Sequence, residues 1–159
     1  MKKYFLSGMA AAALLSSSAV FAITTTGNAT ATIRAAITAT QDQQMSFGTV
    51  SAAASAAIVT LSSAGVRTSS LNYYGTAAPG IFTITAEPST ALSISFSSGT
   101  LTSSANTMTI SNFTSASNPA SYTTDSSGNL TLNVGADLSV GVNQASGVYA
   151  GTYIVTLNY

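Results

Sequence analysis

The sequence predicts an all-β fold, a sandwich or barrel of about eight to nine short strands, and three observations carry that expectation. Apolar and polar residues alternate with period two in one segment after another beyond residue 28. Clusters of Gly, Pro, Asn and Ser separate those segments at regular intervals. No stretch past residue 22 calls for a helix. The alanine-rich SAAASAA (51–57) is short, uncapped and flanked by β-rich sequence, so it reads as loop or weak strand.

Ahead of the strands lies a segment of a different kind. Lys2 and Lys3 precede an apolar run, FLSGMAAAALL, that is too short to span a bilayer. Small residues follow, in SSSAVFA. This is the pattern of a secretory signal peptide over residues 1–22, with cleavage expected between Ala22 and Ile23. Residues 23–159 then form one β-sandwich domain, with no membrane span once the signal is removed. The expected location is outside the cytoplasm: secreted through the periplasm of a Gram-negative-type bacterium to the cell surface or beyond.

The strands follow in order. ATATIRAAITAT (29–40) alternates strictly, with Ala29, Ala31, Ile33, Ala35, Ile37 and Ala39 on one face. MSFGTV (45–50), AIVTLSS (57–63) and SSLNYYG (69–75) come next, the last two separated by the SAG turn before Val66. The APG turn at 78–80 releases IFTITA (81–86), and EPST breaks it before ALSISF (91–96). TMTISNF (107–113) is followed by a hairpin loop, TTDSSGNL, where Asp125 opens the turn and Gly128 takes positive φ. LTLNV (130–134) and DLSVGV (137–142) are read as two strands interrupted by Gly135. After the NQASG turn, Tyr153, Val155, Leu157 and Tyr159 share one face of the closing strand, with Tyr149 just before it.

Composition narrows the function classes. Only 5% of residues are charged, and beyond Lys3 the charges are Arg34, Arg67, Asp42, Glu87, Asp125 and Asp137. Two separated arginines make no basic stripe, so nucleic acid is not an expected partner. The chain has no cysteine, so no disulfide holds it, and no histidine. Serine and threonine hydroxyls abound, but a nucleophile needs a base beside it, and only scattered carboxylates remain. Glu87 precedes Pro88 in a turn, while Asp125 and Asp137 sit at turn positions. The expectation is therefore a non-enzymatic protein with no catalytic residues, no cofactor and no metal site.

The succession MSFGTV, VTLSSAGVRTSS, APGIFTITAEP and LTLNVGADLSVGVNQASGVYAGTYIVTLNY resembles a family of small secreted bacterial proteins. That family is catalogued only as a domain of unknown function (forty-four-oh-two). The last thirty residues are the most specific part, and the resemblance implies placement and fold rather than an activity. More loosely, the ending is similar to pilin subunits of fimbriae, which are immunoglobulin-like sandwiches completed by a neighbour's N-terminal strand. The chain departs from them in lacking a cystine and in placing Asn158 before the terminal Tyr159.

Together these imply an immunoglobulin-like, pilin-like sandwich with a structural role in a surface appendage or layer. Residues 23–40 are then an N-terminal extension or first strand. Their donor face is Ala29, Ala31, Ile33, Ala35, Ile37 and Ala39, and the acceptor edge is Tyr149, Tyr153, Val155, Leu157 and Tyr159. Period two alone does not say whether donor and acceptor belong to one chain or two. The expected partner is a second copy, with a periplasmic chaperone or the secretion machinery met on the way. Two alternatives stand beside this: a monomeric adhesion module binding carbohydrate or protein, and a small outer-membrane β-barrel.

Overall fold

The computed structural model describes residues 21–118 and 120–159, so most of the expected signal peptide lies outside the described residues. Residues 21–32 form a unit of their own, exposed and without regular structure. Residues 33–159 form the β domain.

Among the described residues ten strands make the domain: β1 (Thr38–Gln43), β2 (Thr49–Val50), β3 (Ala57–Leu61), β4 (Arg67–Ser69), β5 (Tyr73–Tyr74), β6 (Gly80–Thr85), β7 (Ser93–Ser103), β8 (Asn106–Asn118), β9 (Asn129–Val140) and β10 (Ala150–Asn158). One short 3₁₀ turn, Ala120–Tyr122, follows β8. The main path is β1-β6-β9-β8-β7-β10, antiparallel throughout, with β3 and β4 branching from β9 and a separate β2-β5 pair. The path curls so that its two ends face each other. Leu157 and Val155 of β10 join Ile84 and Phe82 of β6 in one apolar cluster, although these strands are not neighbours in the sheet. The result is an all-β sandwich.

β9 is the spine. Leu130, Leu132, Val134, Ala136, Leu138 and Val140 are all buried, every second residue turned inward. The first three enter the cluster with Ile84 and Leu92, and the last three enter a second cluster with Phe47, Val59, Leu61, Leu71 and Ile110. Met45, Phe113 and Tyr153 pack against both. Fully burying one such aliphatic side chain contributes about 1.5–3 kcal/mol, so this row dominates the core.

The two segments that the sequence separates at Gly135 are thus one strand. What changes at Gly135 is the partner: β6 pairs with residues 129–134 and β3 with residues 136–140. The end of β3 crosses so close that a Cβ on Gly135 would run into the Leu61 carbonyl and the Ser62–Ser63 backbone. A second difference is length. β7, β8 and β9 have 11, 13 and 12 residues, longer than the short strands expected. β9 changes partner partway along, while β7 and β8 pair with each other only over Gly99–Ser103 and Asn106–Ile110 and run on along β10 and β9. The bulge between Ser111 and Thr114 lets β8 follow β9 past that switch, and Asn112 there takes φ 47°.

The N-terminal alternation contributes less strand than its pattern suggests. Only its tail, from Thr38, joins a ladder, with β1 pairing to β6 as Thr38↔Thr85 and Ala39↔Ile84. The Asp125 loop is as expected: its carboxylate accepts the Ser127 and Asn129 amides at 2.8 and 2.9 Å, and Gly128 has φ 84°.

Candidate functional site: a groove between the first and last strands

β1 and β10 are the two ends of the sheet path, each paired on one side only among the described residues. They run antiparallel to each other across the sandwich, because five antiparallel steps separate them. Between them lies a groove of about 1160 Å³. One lip is Ala39 and Gln41 of β1, continued by residues 44–52. The other is Tyr153, Val155 and Leu157 of β10, continued by residues 144–149. Its floor is apolar: Phe82, Ile84, Leu101, Met108, Ile110, Leu138 and Val140.

Among the described residues, no carboxylate, arginine or lysine lines this groove. Its polar resources are amides, hydroxyls and the free main-chain edges of its lips. Such a surface can accept an extended chain, with ladder hydrogen bonds at the rims and side chains on the floor.

Each lip is held in place. Arg67 staples the first: its guanidinium donates to the Phe47 carbonyl and to those of Tyr74 (3.2 Å) and Gly75 (3.1 Å), and stacks on the Tyr73 ring at 4.3 Å. Tyr149 holds the second, donating to the Ala145 carbonyl at 2.8 Å and accepting from the Gln144 amide at 2.8 Å. Tyr153 turns its ring inward, 5.1 Å from Phe113 and 6.3 Å from Phe82. Its hydroxyl is buried with no hydrogen-bond partner among the described residues, and burial pushes its pKa up to about 12.

The groove's upper end, where β10 finishes, is tied across. The Tyr159 hydroxyl accepts the Glu87 N–H at 3.0 Å and donates to the Ala35 carbonyl. Glu87 in turn accepts the Ala35 N–H at 2.9 Å, and the Arg34 guanidinium lies 5.1 Å over the Tyr159 ring. Both main-chain groups of Ala35 are therefore satisfied by side chains.

The residues singled out from sequence fall into distinct places. Tyr153, Val155 and Leu157 do line the groove on β10, while Tyr149 stands in the loop before it and Tyr159 just beyond its upper end. On the N-terminal side, Ala39 belongs to β1 of its own domain, and Ile37 packs against the core. Ala29, Ala31, Ile33 and Ala35 are exposed, Ile33 to 95%, and Ala22 and Ile23 lie in the exposed coil. The four carboxylates sit on separate elements, each with its own partner. Asp42 accepts from Thr83 (2.6 Å), and Asp137 accepts from Thr60 (2.6 Å) and Asn112 (3.0 Å).

Two parts of the site escaped sequence reasoning. The Tyr159–Glu87–Ala35 clamp joins residues 124 apart in sequence, at spacings no local pattern carries. Leu101, in the second half of the floor, belongs to the far end of a strand read as shorter. Met108 and Ile110, also on the floor, alternate inside TMTISNF, which the sequence marks as a strand.

A family model described as Domain of unknown function (DUF4402) matches residues 37–159. No curated protein matches the chain, and no solved structure does.

Proposed function

We propose that this chain, which belongs to the DUF4402 family, is a non-enzymatic structural subunit of a bacterial surface appendage or layer. It is exported with residues 1–22 removed, and copies self-associate by strand addition. The groove of one copy takes the N-terminal extension of the next, and the added strand completes the sandwich.

The observation that carries this is the groove itself: an apolar channel between β1 and β10, whose facing edges are unpaired among the described residues. Edges of this kind are normally covered, and pairing with another chain is the common result when they are not. The sequence before β1 supplies a matching segment. Residues 23–33 place Ile23, Thr25, Gly27, Ala29, Ala31 and Ile33 on one face, and Ile33 stands in solvent. A neighbour is the better destination than the chain's own groove. Filling its own groove needs a reversal just before β1, and residues 29–41 contain no Gly, Pro, Asn or Asp to make one.

The alternative of a membrane barrel has less support. The sheet path is open, and the apolar rows of β6, β9 and β10 face inward, the reverse of a lipid-facing barrel.

The test is deletion of residues 23–32, which leaves β1 intact. The mature chain is expected to form filaments or large oligomers by electron microscopy and sedimentation, and the deletion variant to remain monomeric. A peptide of residues 23–33 should then raise the variant's melting temperature in a concentration-dependent way. A mature chain that stays monomeric, or a deletion variant that still assembles, rules the proposal out.

A further inference from the structure

Strand addition by itself leaves the direction of insertion open, and the direction decides the symmetry of the assembly. The extension joins its own domain at Ala35, at the Tyr159 end. A donor lying parallel to β10 would bring its own Tyr159 end against the same end of the acceptor. Such a contact is self-complementary and closes as a reciprocal dimer. A donor lying antiparallel to β10 would bring its Tyr159 end to the opposite end of the acceptor, near residues 143–149. That contact is head-to-tail and can repeat without closing.

The two ends of the groove are not alike. At the Tyr159 end the ring spans from the end of β10 to the end of β6. Three hydrogen bonds tie Tyr159, Glu87 and Ala35 together, Arg34 lies over the ring, and Ile37 packs into the core beside them. A chain leaving through that end must displace this segment. At the opposite end the lips are joined by one main-chain bond, Asn143 N–H to the Ala53 carbonyl at 2.9 Å. The lip there is exposed, Val148 to 88%. A donor strand needs an exit only where it continues into its own domain. Its free N-terminus needs none.

Resting on the strand-addition proposal, we infer that the Tyr159 clamp acts as a stop at one end of the groove. The donated extension therefore lies antiparallel to β10, and copies add head-to-tail through the end formed by residues 143–149. Lengths agree with this. Residues 23–33 and the lip from Gly147 to Leu157 have eleven residues each, a span of about 35 Å when fully extended. Ile33 then lies near Gly147 and Ile23 near Leu157.

The absence of cysteine makes disulfide mapping clean. Thr32→Cys chains mixed with Val148→Cys chains should cross-link on oxidation. Thr32→Cys mixed with Asn158→Cys should do so at least tenfold less. The reverse pattern overturns the polarity while leaving strand addition standing. Cross-linking at neither position, together with assembly that survives deletion of residues 23–32, counts against strand addition itself. Tyr159→Ala, checked for folding by circular dichroism, should divert filaments to closed dimers that cross-link at 158. Filaments unchanged in a folded Tyr159→Ala protein overturn the role of the clamp. The mapping in the unaltered clamp background decides the polarity even if that variant fails to fold.

Discussion

At the centre of β10 the Tyr153 ring fills space between Phe82 and Phe113, while its hydroxyl is buried with nothing to receive its hydrogen among the described residues. The ring contributes packing. The hydroxyl contributes a desolvation cost, since a buried polar group left unpaired costs about 1–3 kcal/mol. Tyr153→Phe keeps the ring and removes the cost, so the variant should be as stable as the parent or more stable by up to about 1 kcal/mol, read from urea midpoints. Alkaline pH gives a second readout. The folded-state pKa is about 12 against an ordinary 10.0, so the folded chain holds this proton longer than the unfolded chain. Its contribution is fully present below pH 10 and is lost as pH rises through about 12. Tyr153→Phe should show a shallower loss of stability across that window. An identical slope in both proteins would show that the phenol is not desolvated.

Among the elements, β9 shows how much was legible. The inward residues Leu130, Leu132 and Val134 and then Leu138 and Val140 are all even-numbered, so the alternation keeps its phase through Gly135. That continuity was in the sequence and marks one strand; glycine's usual meaning in a strand pattern, a bulge or break, obscured it. What no single segment encodes is the change of partner from β6 to β3, because it depends on Leu61 and Ser62 arriving from 74 residues away. The same holds for β1. Residues 29–37 alternate as well as 38–40 do, but only the latter find a ladder, and pattern alone cannot tell a paired strand from an unpaired one. The lip residues of β10 were readable because one face of that strand is apolar. The clamp at Ala35 was not, because its bonds join main-chain groups to the side chains of residues far away in sequence. Gly135→Ala tests the partner switch. Its Cβ would meet rigid backbone rather than a flexible side-chain end, so a loss of about 1–3 kcal/mol or more is expected by thermal or urea unfolding. A neutral result would mean that β3 does not cross there.

For the whole molecule the scarcity of charge makes a definite physical claim. Beyond Lys3 there are six charged side chains; Asp42, Asp137 and Asp125 are taken up by hydroxyl, amide and main-chain donors, and Arg67 by three carbonyls. None of the six lines the groove. If copies join there, association rests on apolar burial and main-chain hydrogen bonds, and neither is appreciably screened by salt. Charge pairs on a surface behave otherwise: the screening length falls from about 10 Å at 0.1 M to about 3 Å at 1 M, and their attraction fades with it. The apparent association constant of the mature chain, followed by sedimentation, should therefore change by less than about twofold over that range. Urea should dissolve the assembly, since it solvates apolar and peptide groups together. A reductant should do nothing, there being no cysteine to reduce. A steep fall with salt would place the contact elsewhere, at the ends of the domain where Arg34 and Glu87 stand. The groove would then be a feature of the subunit and not the joint between subunits.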